Sequence, residues 1–259
     1  ETDYLTAVDG GYGDDVQGKT FKTWDLLALC LPQYMDMFQD AKLREAISLS
    51  IDTQAITNAV YGSMGQVADS ILIDGCDYYE PIGVHEYNPE KAKQLLKEAG
   101  YENGLDMKLV IPSMPANDKC AEIIQAYLAD VGINLTVESY DFATAIPILM
   151  SNGTDISIFG TGGGTYTAKM ITTTIGETST NGGARVEDRE FNDYLNAAAT
   201  TQDTKVRQEN YTKASQWAFD NYWTLPISYA EAGSIYHSNI SNVTGLVARS
   251  VDLAAVVVS

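Results

Sequence analysis

The chain has 259 residues and 28.2 kDa, with 45% apolar and 20% charged residues. That composition fits a globular protein with a sizeable core, and no run approaches the ~18 uncharged apolar residues of a membrane span. Sixteen basic against 35 acidic residues give a net charge of −19 and a pI near 4.2, which repels phosphate backbones and argues against nucleic-acid partners. Cys30, Cys76 and Cys120 are far apart. With no C-x-x-C among them, neither a zinc ribbon, a thioredoxin motif nor a disulfide scaffold is supported.

In chain order, an apolar stretch begins at Leu26 and reads as a strand. Asp40 is placed to cap a helix with Leu43, Ala46 and Ile47 on one face, and Asp52 a second helix with Ile56, Ala59 and Val60, which Gly62 ends. Asn88 then precedes Pro89, Ala92, Leu95, Leu96 and Ala99 form a stripe, and Gly100 stops it. The period changes at Met107, Leu109 and Ile111, which alternate as on a strand. A helix is expected from about Asn117 to Gly132, followed by Ile133, Leu135 and Val137 alternating with polar residues. Asp141 is placed to cap a further helix, which Pro147 should kink or shorten. A strand is expected over residues 155–159. The middle of the chain therefore reads β-α-β-α-β, which argues for an α/β fold with a mixed, mainly parallel sheet flanked by helices. Two more helices follow, around Phe191–Ala198 and Tyr211–Tyr222. Short extended segments are expected over 225–229, 234–237 and 254–258.

Few motifs carry chemistry. Gly13-Asp14-Asp15-Val16-Gln17-Gly18-Lys19-Thr20 fits the phosphate-loop pattern G-x-x-x-x-G-K-[ST]. Asp14 and Asp15 would oppose an anion there, and no convincing buried strand precedes it. Gly160, Thr161, Gly162, Gly163, Gly164 and Thr165 follow a strand but lack the third glycine of a dinucleotide fingerprint, and no strand ending in an acid stands about 20 residues on. A nucleotide-binding enzyme built on either loop is the second reading. His85 and His237 are the only histidines and lie at no metal-ligand spacing. Tyr61-Gly62-Ser63-Met64-Gly65 misses the G-x-S-x-G nucleophile turn. No catalytic residue, metal site or cofactor is expected.

Four segments in order carry a resemblance. Phe38-Gln39-Asp40-Ala41-Lys42-Leu43-Arg44-Glu45-Ala46-Ile47, followed by Ile51-Asp52-Thr53-Gln54-Ala55-Ile56 and Val60-Tyr61-Gly62, resembles a run found in family 5 extracytoplasmic solute-binding proteins of ABC importers. Tyr87-Asn88-Pro89-Glu90-Lys91-Ala92-Lys93-Gln94-Leu95-Leu96-Lys97-Glu98-Ala99-Gly100-Tyr101 is similar to that family's Y-N-P-E-K-A-K-x-L-L-x-E-A-G-aromatic helix. Gly153-Thr154-Asp155 stands where the family has G-x-aromatic-D. Arg207, Tyr211 and Leu225-Pro226-Ile227 are similar to its closing segment.

The resemblance implies a periplasmic-binding-protein type II lobe and non-enzymatic capture of a small solute, delivered to the membrane subunits of an importer. Residues 1–25 would lead in from an N-terminal lobe, residues 26–248 would form the C-terminal solute-binding lobe, and residues 249–259 would return toward the other lobe. It further implies an extracytoplasmic, lipoprotein-type receptor of bacteria, held at the membrane only through an anchor outside this chain. Peptide-binding relatives carry a G-W-x-x-D-Y-x-[DE]-P segment after the strand. Here Gly160, Thr161, Gly162, Gly163, Gly164, Thr165 and Tyr166 stand in its place, with no Trp, acid or Pro. These seven are the expected ligand-binding residues. Peptides, nickel complexes, oligosaccharides and other small solutes stay open as ligands.

Overall fold

The computed structural model describes residues 11–160, 168, 171, 174–179, 184–243, 245–246, 250–251 and 256–258. Its frame is a ladder between two long strands, β1 (Val16–Cys30) and a late strand over Thr224–His237. They pair antiparallel from Val16 opposite His237 to Cys30 opposite Thr224. Leu26–Cys30 and Leu225–Ala230 are buried, whereas residues 16–22 and 231–237 are half-buried or exposed. The ladder changes character at a register shift between Lys22 and Asp25. There the Thr23 hydroxyl lies 2.7 Å from Asp25 Oδ2 and 2.6 Å from the Ala230 carbonyl, so a side chain takes over bonding that the bulge removes from the backbone.

In chain order the remaining strands are β2 (Gly65–Val67), β3 (Leu105–Pro112), β4 (Ile133–Tyr140), β5 (Ser157–Gly160), the late strand β6 (Thr224–His237), β7 (Ile240–Ser241), β8 (Gly245–Leu246), β9 (Ser250–Val251) and β10 (Val257–Val258). One sheet has the order β2-β6-β1-β5, and all its pairings are antiparallel. β3 and β4 pair in parallel, and a parallel bridge between Leu109 and Ile156 joins β3 to the approach of β5. The fold is thus mixed α/β as expected, but among the described residues parallel pairing is confined to the β3–β4–β5 region rather than dominant. Helical crossovers between neighbouring segments reveal parallel pairs. The direction of β1 against β6, some 200 residues apart, leaves no local pattern. The same pairing makes β1 ten residues longer at its start than the apolar stretch from Leu26, and fuses the two expected late segments into one strand.

Seven helices among the described residues cover the sheets: α1 (Ala41–Leu49), α2 (Thr53–Tyr61), α3 (Pro89–Glu98), α4 (Pro115–Asp130), α5 (Phe142–Met150), α6 (Arg189–Thr200) and α7 (Thr204–Asn221). Asp40, Asp52, Asn88, Asp141, Asp188 and Asp203 each accept a hydrogen bond from an amide in the first turn, worth ~1 kcal/mol apiece. α4 begins at Pro115, two residues before the expected start, because proline suits the first helical position. α5 holds Pro147 within only nine residues. Gly100 and Gly132 adopt φ of +90° and +92° after α3 and α4, conformations that only glycine adopts at little cost.

The core is one continuous cluster. Leu109 and Ile111 of β3, Leu43 and Ile47 of α1, Ile56 of α2, Ile124 and Leu128 of α4 and Phe191 and Leu195 of α6 are 0–1% exposed. Each full burial contributes ~1.5–3 kcal/mol. Arg44 is buried among them. Its Nη1 donates to the Phe38 carbonyl at 2.6 Å, its Nε to the Asn221 carbonyl at 2.8 Å, and its guanidinium lies 4.1 Å from the Trp223 ring centre. The Phe38-x-Asp40-x-x-x-Arg44 spacing is therefore architectural. Asp40 starts the helix, and Arg44, one turn on, ties it to Phe38 and to the end of α7.

Candidate functional site at one sheet edge

Because β3, β4 and β5 run in the same direction, their C-terminal ends open on one edge. Pro112 pairs with Tyr140, and the Ser113 N–H donates to the Tyr140 carbonyl at 2.7 Å. The Leu109–Ile156 bridge sets Gly160 level with Ser113, four residues on from each. Gly160 also pairs with Leu27 of β1. β1 continues past that point from Leu26 back to Val16, as does β6 out to His237. A two-stranded ribbon roughly 35 Å long at ~3.3 Å per residue therefore stands beyond the edge where the parallel strands stop. In open α/β sheets ligands bind beyond the carboxyl ends of parallel strands.

Gly160, the first expected ligand-binding residue, lies at this edge as the last residue of β5. Thr161, Gly162, Gly163, Gly164, Thr165 and Tyr166 lie outside the described residues. The chain is in the core again at Ala168 and Ile171, which are 2% and 1% exposed, so both flanks of that segment are fixed to the body of the fold.

The Gly153-Thr154-Asp155 turn before β5 holds the strand in place. The Val110 N–H donates to Thr154 Oγ1 at 3.0 Å, the Lys108 N–H donates to Asp155 Oδ2 at 2.8 Å, and the Asp155 N–H returns to the Lys108 carbonyl at 2.9 Å. The Tyr34 hydroxyl bonds the Thr154 carbonyl. Burial and the neighbouring Asp155 charge push that hydroxyl up to about 12, so it stays a donor at any physiological pH. A Cβ on Gly153 would sit 2.4 Å from Ile148 Cγ2 and 2.9 Å from the Ile148 carbonyl oxygen. The glycine is there for close approach to α5, not for a ligand.

Sequence reasoning missed three residues at the edge. Met114, Tyr140 and Phe142 are exposed, at the start of α4, the end of β4 and the start of α5. Their signal was available: each is a large apolar residue adjoining a strand's end or a helix cap, where the periodicity of the core no longer applies. The same element ends carry carboxylates held by hydroxyls. Asp118 accepts from Ser113 Oγ at 3.1 Å and from Ser139 Oγ at 2.6 Å. The Thr144 hydroxyl and N–H hold the Asp141 carboxyl below the usual carboxylate range.

Residues 13–20 do not form a phosphate loop. Gly13 turns at φ +82°, and Val16 to Thr20 are extended and paired with β6, with no helix following. A phosphate loop needs its amides curled and free at a helix N-terminus, so the nucleotide reading loses this loop. The cysteines are buried free thiols. Burial pushes Cys30 and Cys120 up to about 12 and Cys76 up to about 11, far from the thiolate that a nucleophile requires. His85 is a packing residue. Its Nε2 lies 3.0 Å from the Phe219 carbonyl, its Nδ1 meets the Ser48 hydroxyl, and its ring contacts those of Phe219 and Tyr222. His237 is exposed at the end of β6. No group of three or more His, Cys, Asp or Glu with metal-holding geometry occurs among the described residues.

The family model for bacterial extracellular solute-binding proteins, family 5 (middle region) matches residues 3–183. The chain belongs to this family. It is 28% identical over 202 residues to heme-binding protein A of Haemophilus influenzae, covering 74% of this chain and 37% of that protein. It is 28% identical over 217 residues to a dipeptide-binding protein of Pseudomonas aeruginosa, covering 80% of this chain and 40% of that one. Among solved structures, HbpA2 from Haemophilus parasuis superposes with a TM-score of 0.88 at 22% identity, over 99% of this chain and 52% of the other. A dipeptide-binding protein from Pseudoalteromonas in complex with Met-Leu gives 0.83 at 24% identity, over 98% and 52%. These likenesses establish a periplasmic-binding-protein fold. The chain spans about two fifths of the length of these curated relatives and about half that of the solved ones.

Proposed function

We propose that this chain supplies one wall of a solute-binding cleft in an extracytoplasmic receptor. The receptor captures a small solute without chemical conversion and delivers it to the membrane subunits of an ABC importer. Residues 26–248 form the lobe, residues 1–25 lead into it and residues 249–259 leave it. The solute lies at the edge where β3, β4 and β5 end, against Gly160, Thr161, Gly162, Gly163, Gly164, Thr165 and Tyr166. A lipid anchor holds the receptor at the cell surface. The observation that carries the reading is family membership joined to the common edge of three parallel strands, where a glycine-rich segment lets a ligand approach the backbone closely. Relatives named for dipeptides and for heme support a reading in which this fold takes several solute classes, and peptides lead among them.

The test uses the full-length gene product. Solute that co-purifies with it is identified by native mass spectrometry, and its affinity is measured in a variant with Gly162 and Gly163 both changed to Leu. Affinity should fall about tenfold or more at unchanged melting temperature. Unchanged affinity refutes the assignment of this segment. Saturable ATP hydrolysis abolished by Lys19→Ala would overturn the non-enzymatic reading.

A further inference from the structure

Building on that reading of the edge, we infer that it selects solutes carrying a protonated amine beside an apolar group and rejects anionic ones. Met114, Tyr140 and Phe142 are 46%, 36% and 66% exposed, on strand and helix ends tied together by the Ser113–Tyr140 backbone bond. Large apolar side chains left this open on adjoining element ends form a face for apolar matter.

Charge complementarity names the rest of the occupant. Glu138 and Asp141 flank Tyr140 along the chain, Asp118 is tied through Ser113 and Ser139 to the same two strand ends, and among the described residues none of these carboxylates is in an ion pair. Their hydrogen bonds fix them without neutralising them. Ser113 and Ser139, one from each strand end, hold Asp118 at the seam between β3 and β4. Tyr140 reaches Glu138 at 3.3 Å, and Thr144 holds Asp141. Lys119 is the one basic residue within 112–119 and 138–142, and the whole chain adds a charge of −19. An ammonium here gains from fixed carboxylates and from the faces of Tyr140 and Phe142, while a carboxylate solute meets repulsion from the same groups.

The probes are 2-phenylethylamine and phenylacetate, which share a benzyl group and differ in the sign of their charge, with ethylamine as the amine lacking a ring. Each is titrated at pH 7 into the isotope-labelled chain, followed by amide NMR. 2-Phenylethylamine should shift amides within 112–118 and 138–143 and bind about five-fold tighter than phenylacetate. The ratio should shrink toward one at roughly 0.5 M salt. Phe142→Ser and the loss of the ring in ethylamine should each weaken binding about three-fold or more. Asp118→Asn should narrow the ratio while moving the phenylacetate affinity by no more than about two-fold. Equal affinity for the two aromatic probes, with shifts at this edge, overturns the charge selection and leaves the edge standing as the solute site. Shifts confined to other surfaces, or none with any probe, overturn the apolar subsite, and the Gly162/Gly163 experiment then decides the edge separately.

Discussion

Arg44 offers a sharp test of how the lobe holds together. A buried charge is commonly replaced by an apolar residue at little cost, because the desolvation it suffers is recovered. Arg44 differs in what it would leave behind. Its partners are not carboxylates that can be neutralised but two main-chain carbonyls, Phe38 and Asn221, at 2.6 and 2.8 Å. The second belongs to the last turn of α7, where a cation also complements the helix dipole. Removing the guanidinium orphans both oxygens at about 1–3 kcal/mol each. It also removes a desolvated stack on Trp223 worth roughly 0.5–2 kcal/mol. Burial already lowers the guanidinium pKa from its ordinary value, and recovery of that desolvation offsets part of the loss. Arg44→Met should therefore destabilise by about 3 kcal/mol, and Arg44→Lys by about 2, since one ammonium reaches one carbonyl and cannot stack in the plane. Urea unfolding followed by tryptophan fluorescence measures both, with Trp223 as a reporter beside the substitution. A methionine variant within about 0.5 kcal/mol of the parent would show that water or backbone movement satisfies the two carbonyls, and the clamp would have to be abandoned.

His85 makes stability depend on pH. Burial lowers its pKa below the ordinary 6.5, and donation of its Nε2 proton to Phe219 leaves Nδ1 as the acceptor for Ser48. The unfolded chain thus binds a proton that the folded chain refuses. Its contribution is complete above about pH 6.5 and is lost as pH falls toward the folded value, at up to ~1.4 kcal/mol per unit. Glu45 and Asp220 temper the shift. His85→Gln should flatten the stability profile below about pH 6.5 relative to the parent, and parallel profiles would refute the neutral, buried imidazole. Gly153→Ala should cost about 1–3 kcal/mol, because its methyl would overlap Ile148. A melting temperature within about 1 °C of the parent would show that α5 moves aside freely.

Local chemistry made the helices legible. Asp40, Asp52, Asn88 and Asp141 were readable as caps because a short oxygen-bearing side chain before an apolar stripe has few other uses, and each does accept a first-turn amide. β3 and β4 were readable because each opens with buried positions alternating with more open ones, a period of two that β3 loses from Leu109 on, where both faces are buried. The β1–β6 ladder was not. Its inner half is buried on both faces, and its outer half alternates in exposure without large apolar residues to mark it, as at Val16, Gly18 and Thr20, so neither half gives a clean hydrophobic alternation. Its partners are fixed only by tertiary pairing. The sheet was accordingly read as mainly parallel, from the one region whose connections are local.

The site divides along the same line. The glycine-rich segment was found because its composition is unusual and it follows a strand, and the structure puts its first residue, Gly160, level with the ends of β3 and β1's Leu27. Met114, Tyr140 and Phe142 were passed over because a lone apolar residue beside a cap looks like a hydrophobic staple, whose partner lies on its own helix. Only the parallel register of β3 against β4 shows that residues more than 20 apart in sequence emerge side by side. Thr154 and Asp155 are the converse case. They sit in the family motif nearest the expected site, yet their side chains are spent on the amides of Val110 and Lys108. Polar residues in a family motif therefore divide into those that build the edge and those that face what lies beyond it, and in this chain Gly153-Thr154-Asp155 belongs to the first group.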